Sequence, residues 1–305
     1  MAPQIKSVVI IGAGGNLGKG VLSAFLNSGL QVSVISRPES KSTFPPSVNV
    51  IKSTYDPAEL RSAFLGQDAL VCLISNFALA DQKTIIDAAA AAGIQWFIPS
   101  EFGSNTTDKA LTDYCSPCFD HKTETVKYAR SKESAGMNWT AFITGFFFEW
   151  GLEKKFFGFD PESKSAEIWN TGNERFSTTN LPTIGKAIVN LLTSPEKLEA
   201  CKNRYVLISS YTTTQNEVLK TFEKVTGEKW AVTHVDAEKR GKEGQDMLAR
   251  GMFGLAAFQN VLLGAVYGKQ QLGDHTKGKM DNDLLLPGNN EDMEKQLSHI
   301  MAELK

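Results

Sequence analysis

The run SVVIIGAGGNLGKGVLSAFL, residues 7–26, restricts this chain more than any other stretch. A run of valine and isoleucine stops at Gly12, and Gly14, Gly15 and Gly18 follow where an amphipathic pattern opens. A strand that passes through a glycine turn straight into a helix is the first βα unit of a doubly wound sheet. Glycine permits the tight turn and lets the backbone approach a pyrophosphate, whose charge meets the unpaired N–H groups and the dipole at the helix start. The expected phosphate cradle is therefore Gly12, Gly14, Gly15, Asn16, Leu17 and Gly18.

The first half of the chain keeps the same rhythm. Short β-branched runs at Ser7–Ile11, Gln31–Ser36, 48–52, 69–74, 95–99 and 139–143 alternate with helical patterns, which predicts six strands of a parallel sheet covered on both faces. The clearest helix spans 80–92 and is closed by Gly93, a residue suited to the left-handed position after a helix end. The texture changes at 142–159, which holds seven phenylalanines and Trp150 and leads into the polar turns PESKS and NTGNER. These features predict an α/β chain with a Rossmann-type domain over 1–150 and a smaller α/β substrate-binding region over 151–305. Strands of the second region are free to return to the main sheet. Its pattern predicts a helix at 182–192, a strand at 204–209, a helix at Gln215–Thr226, a short strand at Ala231–Val235 and helices up to Tyr267.

Charge removes several classes of partner. Lysine plus arginine number 32 against 34 aspartate plus glutamate, so a net charge of −2 offers no field for a polyanion, and nucleic acid is not an expected ligand. The N-terminal apolar run stops too early for a signal peptide, and no stretch approaches the roughly 18–20 apolar residues that span a bilayer. A cytoplasmic chain without membrane contact is expected. Cys72, Cys115, Cys118 and Cys201 are too few and too scattered for a disulfide scaffold, which suits a reducing compartment.

The end of the second strand selects the cofactor. An NAD enzyme holds the ribose there through an acidic side chain, but this chain reads VISRPESK, with Ser36, Arg37 and Lys41. No carboxylate at the strand end would repel a 2′-phosphate and a guanidinium can grip it, so NADPH is the expected cofactor.

At WFIPSEFG the chain resembles the isoflavone-reductase-like branch of the NmrA-like family, in a fungal type. These are atypical short-chain dehydrogenases that include isoflavone, pinoresinol–lariciresinol and phenylcoumaran benzylic ether reductases. GAGGNLG matches the family's first loop, Arg37 its 2′-phosphate arginine, DQKTIIDAAAAAGIQWFIPSEFG its helix and fifth strand, and FDHKTETVKYAR its catalytic-lysine helix. The resemblance implies a reductase in which Lys122 is catalytic and Ser75, Asn76, Phe77, Gln82, Ser100 and Phe102 neighbour the cofactor. It departs from the family where extra residues at 131–133 precede WTAF, and where Gly145-Phe146-Phe147 stands in place of an asparagine. Both departures bear on the substrate more than on the cofactor.

Several residues compete for the chemistry. A lysine beside a nicotinamide or in a partly apolar cleft has its pKa lowered toward use, which suits Lys122 as proton donor or acceptor. Tyr128 and Lys132 spell the Y-x-x-x-K of ordinary short-chain dehydrogenases, with Ser116 upstream, and form the rival reading. Cys115 and Cys118, with His121 beyond them, give at most three ligands, so no metal site is expected. His234, His275 and His299 have no partner pattern, and Glu101 reads as a structural hydrogen-bonder at a strand end. Phe102, Phe146, Phe147 and Phe148 are expected to line an apolar substrate pocket.

The function expected from these features is NADPH-dependent reduction of a small, apolar, aromatic compound. A non-catalytic NADP(H)-binding regulator is the alternative, and Lys122 argues against it because such regulators generally lack that lysine. The expected partner is a small-molecule substrate; a homodimer is a possibility that the sequence leaves open.

Overall fold

The computed structural model describes residues 4–75 and 82–303. In the first half, β1 (Ser7–Ile11), α1 (Asn16–Leu26), β2 (Gln31–Ser36), β3 (Asn49–Lys52), α2 (Pro57–Phe64), β4 (Ala69–Cys72), α3 (Gln82–Ala92) and β5 (Trp96–Ile98) follow in order. Then come α4 (Lys109–Tyr114), α5 (Asp120–Arg130) and β6 (Asn138–Ile143). Beyond them lie β7 (Phe146–Phe147), α6 (Phe148–Glu153), β8 (Phe159–Asp160), β9 (Ser165–Trp169), β10 (Phe176–Thr179), α7 (Leu181–Leu192), α8 (Pro195–Cys201) and β11 (Arg204–Leu207). The chain continues through β12 (Tyr211–Thr213), α9 (Gln215–Thr226), β13 (Ala231–Val235), α10 (Ala237–Ala249), α11 (Leu255–Tyr267), α12 (Asn282–Leu285) and α13 (Met293–Glu303).

The local sequence accounts for many of these limits. Asp56 accepts from the backbone N–H groups of Ala58 and Glu59 and caps α2, whose first residue is Pro57. Thr214 and Glu217 form a reciprocal capping box at the start of α9. β1 and β4 are buried along their whole length, as strands covered on both faces must be. β5 stops before Pro99, which has no N–H for a ladder. β4 ends at Cys72, two residues earlier than the pattern suggests, because the Ile74 carbonyl accepts from the Ser100 hydroxyl at 2.7 Å.

The main sheet has seven strands in the order β11-β6-β5-β4-β1-β2-β3, and its pairings are all parallel. This is the expected Rossmann-type sheet, extended at one edge by a strand from the second half. β11 pairs with β6 from Arg204↔Thr140 to Leu207↔Ile143. One face of the sheet packs on α1 and α7, with Ile184, Ile188, Leu285 and Leu286 in the same cluster as Val8 and Val21. The other face packs on α2, α3 and α5. A third cluster, dominated by Phe148, Phe157, Phe159, Phe176, Trp230 and Tyr267, fills the second half.

Two small sheets, β12-β10-β7 and β13-β9-β8, support that aromatic core. The sequence pattern misses most of their strands because they are short and polar. β10 is FSTT, yet it is buried throughout: Ser177 pairs with Thr212 at 2.9 Å, and Thr178 and Thr179 donate to the carbonyls of Phe146 and Thr144. With its hydroxyls bonded, a polar strand can be dry.

Candidate functional site

The C-terminal ends of β1, β2, β4, β5 and β6 meet along one edge of the sheet, where a doubly wound fold places its ligand crevice. The glycine turn after β1 is the tightest part. Gly12 has φ +83°, and a Cβ there would collide with the Leu73 carbonyl of β4's extension. A Cβ at Gly18 would collide with the backbone of Gly12 and Ala13, so these two glycines close the turn itself. Gly15 differs: its φ is −79°, and only the Gly12 carbonyl, at 3.2 Å, lies near an added Cβ. Among the described residues no other atom lies near that position, and the first N–H groups of α1, from Asn16 and Leu17, have no partner within the helix. At Gly14 a Cβ would strike the Ser42 side chain, so the segment after β2 folds against this loop.

Arg37 leaves the end of β2 with 64% of its side chain exposed and a 3.3 Å contact to Glu39, an exchangeable surface pair. Lys41 is also exposed. Sequence reasoning missed a third cation: Lys52, the last residue of β3, donates to the Arg37 carbonyl at 3.3 Å and lies 3.5 Å from the Ser36 hydroxyl. The parallel register that sets Ser36 against Lys52 places it there, and no local motif announces it. Ser75 is exposed at the end of β4, whereas the expected cofactor neighbours Asn76 and Phe77 lie outside the described residues.

Gln82 is a clamp. Its carbonyl accepts from the Ser100 N–H at 2.9 Å and its amide donates to Thr125 at 3.3 Å, tying α3, the PSEFG turn and α5 together. Phe102 is buried and stacks on Phe142 with ring centroids 6.0 Å apart.

Lys122, one turn into α5, is 4% exposed. Its Nζ donates to the carbonyls of Glu101 and, at 3.2 Å, Phe102, and lies 6.0 Å from the centre of the Phe119 ring. Burial pushes the amine below its ordinary pKa, and the charge of Glu101 pulls it back up. Glu101 is itself buried and accepts from the Thr106 hydroxyl; burial pushes its carboxyl up, against the pull of Lys122 and of that bond. A chain of rings continues from Phe119 to Phe258 (6.0 Å), Phe156 (6.1 Å) and Phe146 (5.9 Å). Phe119 is the aromatic of the F-x-x-K segment, a signal present in the sequence but not assigned to the site.

The four phenylalanines expected to line a pocket divide. Phe146 and Phe147 retain accessible surface. Phe148 has none; it packs on Phe157 and Tyr211, and the structure assigns it to the core instead of a pocket wall.

Tyr128 and Lys132 are together but elsewhere. Tyr128 follows Lys122 by six residues, about 240° round a helix of 3.6 residues per turn. Its hydroxyl donates to the Asp87 carboxylate of α3 at 2.7 and 2.8 Å, and Lys132 pairs with the same carboxylate at 2.6 Å. Although burial opposes it, these bonds hold Asp87 below the usual carboxylate range. The Y-x-x-x-K pair thus serves the α3–α5 contact.

Cys115 and Cys118 are free thiols, and burial pushes both up, Cys118 to about 11. Neither is a reactive thiolate near neutral pH. Among the described residues no group of three or more His, Cys, Asp or Glu could hold a metal ion, and no helix is long and apolar enough to cross a membrane. His275 is buried, and burial lowers its pKa to about 4; His234 is exposed, and His299 contacts Glu303 at 3.2 Å on the surface.

Comparison with known proteins places this geometry in a family. The model of the NmrA-like family matches residues 4–250. Oxidoreductase aprR of Aspergillus flavus is 39% identical over 247 residues, which cover 80% of this chain and 82% of that protein. Oxidoreductase poxI of Penicillium oxalicum is 32% identical over 245 residues, covering 79% and 77%. The structure of AtPrR2 with NADP+ and (+)pinoresinol shares the fold, with a TM-score of 0.78 at 20% identity over 98% of this chain and 99% of that one. A family match that runs from before β1 to the end of α10, with relatives at 39% and 32% identity, makes this chain a member of the NmrA-like family.

Proposed function

We propose that the protein is an NADPH-dependent reductase of a small, apolar, aromatic substrate, with Lys122 as its proton donor or acceptor. The observation that carries this reading is a buried lysine at the carboxyl end of the sheet, on the same edge as an open glycine cradle. Relatives named as oxidoreductases and a structural relative that holds NADP+ support it.

The residues present fit the cofactor. Among the described residues only the Gly12 carbonyl lies near a Cβ added at Gly15, so that side of the turn would receive a pyrophosphate, which the α1 N–H groups would meet. Arg37, Lys41 and Lys52 would hold the 2′-phosphate, since Arg37 can exchange its exposed contact with Glu39 for a charge-assisted pair. Ser75 and the PSEFG turn, with Ser100 clamped by Gln82 and Phe102 stacked on Phe142, would border the nicotinamide end. When bound, NADPH supplies the hydride.

The chain supplies orientation, dryness and a proton. Phe146, Phe147 and Phe258 retain accessible surface and offer it to an aromatic ring, which orients it and excludes water. Lys122 Nζ stands among carbonyls and the Phe119 ring, so its proton is held where bulk water does not level it. Burial lowers the pKa of that amine, which eases proton loss to a developing oxyanion or leaving group.

The test begins with a screen of aromatic ketones, enones and benzylic ethers for NADPH oxidation, followed at its near-ultraviolet absorbance. Lys122→Ala should then cut turnover by roughly 10²- to 10⁴-fold with little change in NADPH affinity, while Tyr128→Phe is nearly silent. Loss of activity in Tyr128→Phe but not in Lys122→Ala would assign the chemistry to the tyrosine. NADPH binding without turnover across a broad screen would favour the regulator.

A further inference from the structure

The lysine proposed as the proton carrier is not alone in the interior. Glu101 is 1% exposed, and Lys122 Nζ donates to the carbonyl of that same residue. The two residues are in contact, and the Glu101 carboxylate, though not in a direct ion pair with the ammonium, is buried in the same region. The carboxylate is fixed by the Thr106 hydroxyl, and the two Nζ acceptors, the carbonyls of Glu101 and Phe102, are neutral. A buried ammonium bonded only to neutral acceptors is costly and tends to lose its proton, whereas a nearby carboxylate offsets that cost.

We propose that Glu101 is the positioning residue for Lys122: its carboxylate, held by Thr106, is the counter-charge that keeps the lysine protonated in a site closed to water. The inference deepens the reductase reading and rests on Lys122 being its proton carrier. Other groups around the pair do not duplicate this role. From β11, Tyr205 feels the charge of Glu101 and the hydroxyl of Thr106, and burial together with that charge holds its phenol protonated. From α5, Arg130 lies over the Trp139 ring at 5.6 Å and acts on Tyr205. Among the described residues, Glu101 is the charged group that acts on Lys122. Thr106 and Tyr205 also line a cavity of about 390 Å³ behind α5.

The proton itself is accounted for simply. When Lys122 gives its proton to a substrate atom, the ammonium becomes a neutral amine and Glu101 is left as an uncompensated buried carboxylate. That residual charge favours uptake of one proton from water, which restores the pair. Glu101 sets the affinity for that proton without itself touching the reacting atoms.

The test is a titration of Lys122 in the full-length protein labelled with ¹³C at lysine Cε, its signal assigned by its absence in Lys122→Arg. Glu101→Gln should lower the Lys122 midpoint by about 1 pH unit or more, the effect of losing a nearby opposite charge. Glu101→Asp, which keeps the charge, should restore at least half of that shift, an outcome that a purely structural role does not give. An unchanged midpoint in Glu101→Gln, or equal shifts in Gln and Asp variants, overturns the proposal. Should Glu101→Gln fail to fold, Thr106→Val asks the same question: without the hydroxyl the buried carboxyl tends to neutralise, so the lysine midpoint must fall, and no movement overturns the inference. The titration needs neither cofactor nor substrate, so its failure is distinct from failure of the reductase reading, which turnover decides.

Discussion

Gly12, Gly15 and Gly18 look alike in the sequence and do different work. Gly12 and Gly18 are required by the protein's own backbone, whereas Gly15 has a φ of −79° that any residue adopts, and among the described residues a Cβ there would meet only the Gly12 carbonyl, at 3.2 Å. Gly18→Ala is therefore expected to destabilise the fold itself, by about 1–3 kcal/mol as for other overpacked sites. Gly15→Val should leave the fold largely intact and abolish NADPH binding, because its side chain would occupy the proposed pyrophosphate space. Thermal melts with and without NADPH separate the two; a Gly15→Val protein that still gains stability from the cofactor would refute the cradle. Arg37 makes the companion forecast. Its alanine variant should lose most of the preference for NADPH over NADH, roughly tenfold or more, since charge-assisted bonds to a phosphate are worth about 1.5–3 kcal/mol. Isothermal titration with both cofactors decides it. At this scale the motif residues were legible because each belongs to a short, ordered pattern. Lys52 was not, because only strand pairing brings it to Arg37.

Among the elements, β11 shows what a local pattern can and cannot say. Its β-branched and aromatic residues mark a strand, but not that it would extend the first-half sheet or how its edge would be covered. The C-terminal segment does the covering: Asp281 pairs with Arg204 through both carboxylate oxygens at 2.8 and 3.2 Å and accepts from the Leu207 N–H at 3.0 Å. The Asn282 side-chain Oδ1 accepts from the Ser209 N–H at 3.1 Å. Polar caps of this kind blunt an edge that would otherwise invite another strand. Asp281→Ala should cost about 1.5–3 kcal/mol, the worth of hydrogen bonds to a charged group, read as a lower urea midpoint with an unchanged slope. A variant within about 0.5 kcal/mol of the parent would show that the cap is dispensable. The second-half strands were hidden for the opposite reason, since FSTT looks like a turn until its hydroxyls find carbonyl partners across 32 and 35 residues.

Across the whole molecule, the halves on either side of residue 150 share one hydrophobic cluster. Ile184, Ile188, Leu191, Val206 and Leu285 pack with Val8, Val21 and Phe25, and β11 completes the first-half sheet. A fragment of residues 1–150 lacks α7 and β11 and would leave that face of the sheet in water. We expect it to be aggregated or molten, with weak near-ultraviolet dichroism, while the full chain unfolds cooperatively. A fragment with a sharp melt and native dichroism would instead make 1–150 an autonomous domain. The sequence by itself determined the Rossmann-type fold, the glycine turn and the family, and singled out Arg37 and Lys122 for the roles proposed here, because each is written in short-range order: the period of a strand, a turn that needs glycine, a residue at a fixed offset from either. The tertiary structure alone decided that Tyr128 faces Asp87, that Phe148 is core and that Glu101 shares the interior with Lys122. Those outcomes depend on which elements pack together, and burial and charge act through space between residues the chain keeps far apart.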